Sequence, residues 1–299
     1  MSTFWSFWII SLTVICLILV LWVLLANRKV ALKDDGSAEH NQTTGHVYDG
    51  IEEYDNPLPR WWFNLFIWSV VFSIAYLIWY PGLGAWKGIG GWTSKGQLEK
   101  QMQESQAIYE STYKPLVDQS IAELSTDPKA LDIGYRLFLD NCALCHGADG
   151  GGNFSIPDLS DQDWLYGGEP QNILDSITHG RAGAMPAWGS ILKSAGVAQV
   201  SEYVLKMSGQ EHDSNLAGHG EKIFGQYCVA CHGPDGTGST VFGAPNLTDD
   251  VWLYTDDRAG IIAAVAKGLN GEMPAQKEML REEKIYVLAA YVYSLSKDE

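Results

Sequence analysis

The pentapeptide Cys142-Ala143-Leu144-Cys145-His146 recurs, from 142 to 228, as Cys228-Val229-Ala230-Cys231-His232. A C-x-x-C-H run is the attachment signal for a c-type haem. Two thiols at that spacing form thioethers to both vinyl groups of one porphyrin. The histidine directly after the second thiol then presents its imidazole to the iron as the proximal axial ligand. A thioredoxin-type dithiol would not place histidine next on both occasions, and a zinc site would want its two cysteine pairs close together. The motif and its repetition predict two covalent haem c groups, on Cys142 and Cys145 and on Cys228 and Cys231, with His146 and His232 on the irons.

The sixth ligand is sought downstream of each motif. Gly183-Ala184-Met185-Pro186 is echoed by Gly271-Glu272-Met273-Pro274. A thioether sulfur is a soft, neutral ligand that favours reduced iron, so His/Met ligation raises the potential. Met102, Met207 and Met279 show no such echo, which leaves Met185 and Met273 as the expected ligands. Separations of 39 and 41 residues from the histidines make pairing within each copy the default and leave pairing across the copies open. His179 lies six residues before Met185, but Lys267 stands at its place in the second copy. His179, His212 and His219 are read as surface or packing residues.

The duplication extends beyond the ligands. Pro157-Asp158-Leu159 matches Pro245-Asn246-Leu247, Trp164-Leu165-Tyr166 matches Trp252-Leu253-Tyr254, and Tyr203-Val204 matches Tyr291-Val292. The second copy carries two extra residues in its Gly-rich loop. The first copy opens near Thr126-Asp127-Pro128, a helix-start signal with Pro in the first turn. The second is expected to open near Ala217. Each should close with an apolar-periodic helix, near Val197–Met207 and Glu282–Leu295. This is an internal duplication of one haem-binding fold.

Phe4 to Ala26 is a run of 23 residues without charge, long enough to span a bilayer as a helix. No positive segment precedes it and no A-x-A-like site follows it, so it reads as a retained anchor and not a cleaved signal. Arg28, Lys29 and Lys33 follow it, and Arg60 precedes a second uncharged run, Trp61 to Tyr80. By the positive-inside rule these cations mark the cytoplasmic side, so the N-terminus lies outside. Trp61, Trp62, Trp79 and Tyr80 flank the second run as interfacial rings. Ser69, Ser73 and Ala75 offer small side chains for close helix approach. Two crossings return the chain to the outside, the side on which bacterial c-type cytochromes, which the motifs resemble, receive their haem.

The expected divisions are a first transmembrane helix (1–27), a cytoplasmic connection (28–60), with turn formers at Asn56-Pro57 and Pro59, and a second transmembrane helix (61–81). A linker or stalk (82–125), broken near Pro115, then leads to two haem domains (126–210 and 211–299). Cys16 lies within an apolar run and reads as an inert buried thiol.

The whole chain carries 20 basic and 36 acidic residues, a net charge of −16. From Trp92 onward the balance is 15 basic to 29 acidic. Nucleic-acid binding, which needs a basic footprint, is excluded. An acidic head suits a basic electron donor steered by charge, or equally serves to keep the head soluble. An iron closed by His and Met has no open position for oxygen or substrate and carries electrons only. Neither membrane run contains histidine, so the chain is not an oxygen-reducing subunit by itself.

The stretch Tyr48-Asp49-Gly50-Ile51-Glu52-Glu53-Tyr54-Asp55-Asn56-Pro57-Leu58-Pro59-Arg60-Trp61-Trp62 and the membrane run ending in Tyr80-Pro81 resemble the dihaem subunit family of cbb3-type haem-copper oxidases. The haem domains resemble class I cytochromes c, so the fold class is mainly α: two N-terminal transmembrane helices, then two tandem class I cytochrome c domains. In that class a proline carbonyl orients the proximal histidine, which implies roles for Pro157 and Pro245. The family resemblance implies an electron-transfer subunit of the bacterial inner membrane. It would accept electrons from a donor cytochrome c and pass them to a monohaem subunit. From there they reach the catalytic haem-copper subunit, where oxygen is reduced and protons are pumped. A free-standing membrane dihaem cytochrome, or a haem gas sensor or dihaem peroxidase, are the alternatives.

Overall fold

A computed structural model describes residues 2–28, 43–54 and 58–297. Lys29, Lys33 and Asn56-Pro57 lie outside the described residues. The chain divides into two compact units, 1–107 and 108–299.

In the first unit, α1 (Thr3–Ala26) and α2 (Arg60–Trp79) are long and apolar enough to cross a bilayer. Leu24 and Val70 are buried, whereas Phe4, Trp22, Trp61 and Phe72 face outward, an arrangement suited to lipid. Ser6 at the start of α1 accepts a hydrogen bond from the backbone N–H of Ala85, just past α2 (2.9 Å). At the other end Arg28 lies over the Phe63 ring. The two helices therefore run antiparallel. Within α2 the Ser69 and Ser73 hydroxyls donate to the carbonyls of Phe66 and Ser69.

The connection expected to be plain polar chain contains a hairpin, β1 (Thr43–Tyr48) and β2 (Ile51–Tyr54). Asp49 and Gly50 both adopt positive φ (49° and 82°), as a two-residue turn with the right-handed strand twist requires. The Asp-Gly pair was the available signal.

From the first unit, α3 (Ser94–Val117) runs on into the second. Pro115 sits in its last turn and does not break it. The short α4 (Ile121–Leu124) is capped reciprocally: Ser120 Oγ accepts from the Glu123 N–H, and the Glu123 carboxylate accepts from the Ser120 N–H. Leu116, Ile121 and Leu124 are buried.

The first copy supplies α5 (Pro128–Asn141), α6 (Ala143–His146), α7 (Pro170–His179), β3 (Arg181–Met185) and α8 (Gly189–Met207). The second supplies α9 (Ser214–Tyr227), α10 (Val229–His232), α11 (Arg258–Lys267), β4 (Leu269–Met273) and α12 (Glu282–Leu295). Asp127 caps α5 by accepting from the Lys129 N–H, and Pro128 occupies the first turn. Helix α9 begins three residues earlier than expected, because Asp213 accepts from the N–H groups of Asn215 and Leu216. Helix α8 starts before Val197 but is interrupted at Lys193, whose φ is 54°.

The two copies do not pack as two closed domains. Helix α5 crosses α12, while α9 crosses α8. Phe138 of α5 meets Tyr291 of α12 (5.4 Å between rings), and Phe224 of α9 meets Tyr203 of α8 (5.4 Å). At the first crossing a Cβ on Gly134 would lie 2.5 Å from Tyr291 Cβ, so glycine permits the approach. One buried cluster joins Leu124, Phe138, Ile173 and Ile177 to Ile285, Val287, Leu288 and Val292. The other joins Val197, Val200, Val204 and Leu205 to Phe224, Ile261 and Val265. Each copy has exchanged its final helix with the other.

A buried carboxylate ties the second cluster together. Glu202 of α8 accepts from Arg258 of α11 and from the Asp213 N–H that precedes α9. The hydrogen bond from Arg258 holds its pKa below the usual carboxylate value. Stability from this contact is present above the unfolded carboxylate pKa and is lost as pH falls through the lowered one.

Phe138→Ala should cost about 3–5 kcal/mol, the usual loss for a fully buried aromatic. Because α12 closes the core around Phe138, hydrogen exchange in α12 should accelerate along with that in α5. Two independently closed copies would leave α12 protected.

Candidate functional site

Each C-x-x-C-H run begins where a helix ends. The Cys142 N–H donates to the Phe138 carbonyl (2.8 Å) and the His146 N–H to the Cys142 carbonyl (3.0 Å). The second copy repeats this with Cys228 on Phe224 (2.9 Å) and His232 on Cys228 (3.0 Å). A single helical turn puts residues i, i+3 and i+4 on one face, so both thiols and the imidazole of each run point the same way.

The histidines are 9% exposed. His146 Nδ1 lies 3.0 Å from the Pro157 carbonyl oxygen, and His232 Nδ1 lies 3.2 Å from that of Pro245. A carbonyl only accepts, so Nδ1 carries the proton and the Nε2 lone pair is left for a metal. Burial lowers both histidine pKa values, against the opposing effect of the carbonyl, and favours the neutral, ligating form. The expected role of the two prolines thus has its geometry here.

Burial, with a smaller contribution from the second thiol, pushes Cys142 and Cys228 up to about 11. A redox dithiol needs a depressed pKa and a ready thiolate, so these are poor exchange centres. Protonated thiols beside an imidazole with a free Nε2 suit covalent haem attachment. Trp164 packs on the first cluster and Trp252 on the second, and both serve as core aromatics beside the motifs. His179 and His219 are exposed, and His212 is half-buried with Nδ1 directed at the Gln210 carbonyl.

The methionines sit on strands that pair with each other. Strands β3 and β4 form an antiparallel ribbon in the register Arg181↔Met273, Gly183↔Gly271 and Met185↔Leu269. The ribbon carries each strand out of the cluster in which its copy began. Met273 packs against the first cluster, together with Cys142, Ala143, Leu159 and Trp164. Met185 packs against the second, together with Cys228, Val229, Leu247 and Trp252. The structure therefore places each methionine beside the other copy's attachment motif, against the default of local pairing. Strand pairing was missing from the sequence reading, and two short strands with central glycines gave no period-2 signal to find it.

Both crossings depend on glycine. Gly180 and Gly268 have φ of 71° and 76°. A Cβ on Gly180 would press on the backbone of Met273 and Ala275, and one on Gly268 on that of Met185 and Ala187.

The fold and the repeated C-x-x-C-H motif define a c-type cytochrome with two tandem cytochrome domains after two helices long and apolar enough to cross a membrane. Residues 40–87 match the family described as the N-terminal domain of cytochrome oxidase-cbb3, FixP. Residues 129–204 and 215–292 each match cytochrome c oxidase, cbb3-type, subunit III. The chain is 43% identical over 296 residues to the cbb3-type cytochrome c oxidase subunit CcoP of Rubrivivax gelatinosus, covering 98% of this chain and 95% of the relative. It is 40% identical over 276 residues to CcoP of Cereibacter sphaeroides (86% and 95% covered) and 37% over 273 residues to subunit FixP of Azorhizobium caulinodans (85% and 92%). The chain belongs to the subunit III family of cbb3-type cytochrome c oxidases, and its part is electron transfer by haem c in a membrane complex.

Gly180→Ala should displace Met273, at a backbone cost of about 1–2 kcal/mol before any clash. If Met273 is an axial ligand, the readout is loss of a six-coordinate low-spin haem spectrum from one site and not from the other. Gly268→Ala should do the same to the other.

Proposed function

We propose that this chain binds two haem c groups, each ligated by residues from both copies. The first is held by Cys142, Cys145 and His146 with Met273. The second is held by Cys228, Cys231 and His232 with Met185. Haem bound here supplies a one-electron couple at a raised potential. The chain's residues do the rest. The prolines fix the imidazole tautomers, the exchanged helices exclude water, and the sulfurs leave no position for oxygen. The observation that carries this reading is the placement of Met273 in the cluster with Cys142, and of Met185 in the cluster with Cys228.

The haem-binding copies are 126–210 and 211–299, joined by the linker 82–125 to the transmembrane helices 1–27 and 61–81, with 28–60 between them on the cytoplasmic side. The antiparallel α1–α2 pair supports placing the N-terminus and the start of α3 on one side of the membrane, the periplasmic side of a bacterial inner membrane. A donor cytochrome c reduces the acidic head, and the electrons pass to the monohaem subunit. They then reach the haem-copper subunit of the oxidase, where oxygen is reduced and protons are pumped. The relatives named above are subunits of cbb3-type cytochrome c oxidases, which supports such an oxidase as the destination of the electrons. The excess of acidic residues from Trp92 onward supports a basic donor.

Two measurements test the reading. In the reduced full-length protein, the ε-methyl of Met273 should show nuclear Overhauser contacts to the porphyrin bonded to Cys142 and Cys145, and that of Met185 to the porphyrin on Cys228 and Cys231. Contacts to the porphyrin of the same copy would overturn the crossed ligation. The rate of reduction by a basic cytochrome c should fall steeply as salt rises, and a rate independent of salt would remove charge steering.

A further inference from the structure

The two proposed iron sites are related by the duplication, yet the ribbon between them is not symmetric. Directly opposite residues of an antiparallel pair point to the same face, with Cβ atoms about 5 Å apart. Met185 therefore shares its face with the neutral Leu269, whereas Met273 shares its face with Arg181. The duplication offset of 88 makes Leu269 the counterpart of Arg181, so one copy carries a cation where the other carries a hydrocarbon.

The cation is fixed in place. Arg181 Nε donates to Ser176 Oγ (2.8 Å), Nη2 lies 3.4 Å from the Asn172 carbonyl, and the guanidinium lies 4.7 Å from the centre of the Tyr166 ring. Tyr166 ends the segment whose Trp164 packs in the first cluster. Ser176 has Ala264 as its counterpart, so the second copy lacks this seat as well as the charge. Among the described residues no carboxylate lies within ion-pair distance of Arg181. Glu272, beside Met273 in the strand, alternates to the opposite face and is exposed. The guanidinium is half-buried, held by neutral partners, and not cancelled locally.

Distance decides which iron it acts on. Met273 is its cross-strand partner at about 5 Å, while Met185 is four residues along the strand, about 13 Å away. A cation opposes the extra positive charge of ferric over ferrous haem, and its effect falls with distance.

We propose that Arg181 is the charge that sets the two haems apart: it raises the potential of the haem ligated by Met273, so the singly reduced protein keeps its electron there. This rests on the two-haem, Met-ligated reading above, but on the methionine alone and not on which histidine lies opposite it. The electron then moves from the haem ligated by Met185 to the haem ligated by Met273.

The test is a redox titration of the haem-loaded full-length protein, followed at each haem. Met273→Ala and Met185→Ala identify which wave belongs to which sulfur. Arg181→Leu, which copies the second repeat, should lower the wave belonging to Met273 and shift the sharing of one electron between the haems by on the order of tenfold. The wave belonging to Met185 should move much less. Arg181→Lys, which keeps the charge, should restore most of the difference where a purely structural role of the guanidinium would not. Equal movement of both waves, no movement, or a lysine variant that behaves like leucine would overturn the proposal. If the nuclear Overhauser contacts put Met273 on the porphyrin of Cys228 while Arg181→Leu still lowers the Met273 wave, the crossed ligation fails and the role of Arg181 stands.

Discussion

Five residue pairs between β3 and β4 decide where the second half of each copy packs. Strand pairing satisfies the backbone N–H and C=O groups of both segments with each other. It also fixes direction, and antiparallel strands leave on opposite sides. Once β3 and β4 are zipped, α8 must go to the core begun by α9, and α12 to the core begun by α5. The methionine at the end of each strand goes with them. Two glycines of positive φ admit the chain to the ribbon, and the central Gly183–Gly271 pair leaves its middle free of side chains.

The rest of the head follows from that exchange. Neither copy owns a complete hydrophobic core, so 108–299 behaves as one compact unit although its sequence reads as two repeats. Contacts without symmetric counterparts then hold the halves in place. Glu202 with Arg258 locks one end. At the other, Tyr109 of α3 donates to Glu283 of α12 (2.8 Å) and Tyr286 of α12 donates to the Gln119 carbonyl (3.0 Å). Burial and the hydrogen bond to Glu283 push the Tyr109 hydroxyl up to about 12, so it stays a donor at any physiological pH.

What was legible beforehand was what chemistry demands locally. Cys142 to His146 and its repeat need no tertiary context to be read, because the thiols and the imidazole must lie within one turn. The helix cap at Asp127 is equally short-range; the roles of the Pro157 and Pro245 carbonyls followed from the likeness to class I cytochromes c, and the cap at Asp213 was missed because the apolar spacing drew the start of α9 to Ala217. The membrane runs follow from length and the absence of charge. The partner of each methionine was not legible, because a loop of 39 or 41 residues reaches either motif. The ribbon that settles their packing is built from backbone hydrogen bonds, to which Arg-Ala-Gly-Ala-Met and Leu-Asn-Gly-Glu-Met lend no distinctive pattern. The Asp49-Gly50 hairpin was missed: its turn residues carry a signal, but Thr43–Tyr48 is exposed on both faces and lacks the alternation that marks a half-buried strand.

The exchange of final helices also has a consequence for biogenesis. A polypeptide is made from its N-terminus, and the hydrophobic floor beneath Cys142 is finished by α12, which is synthesised some 140 residues later (282 − 142). A nascent chain arrested anywhere before Glu282 has its first attachment motif but not the helix that covers it. Quality control is thereby written into the connectivity: a pocket made early is completed only by a segment made later, and a chain cut short between them is left with an open, sticky half-core for proteases to find.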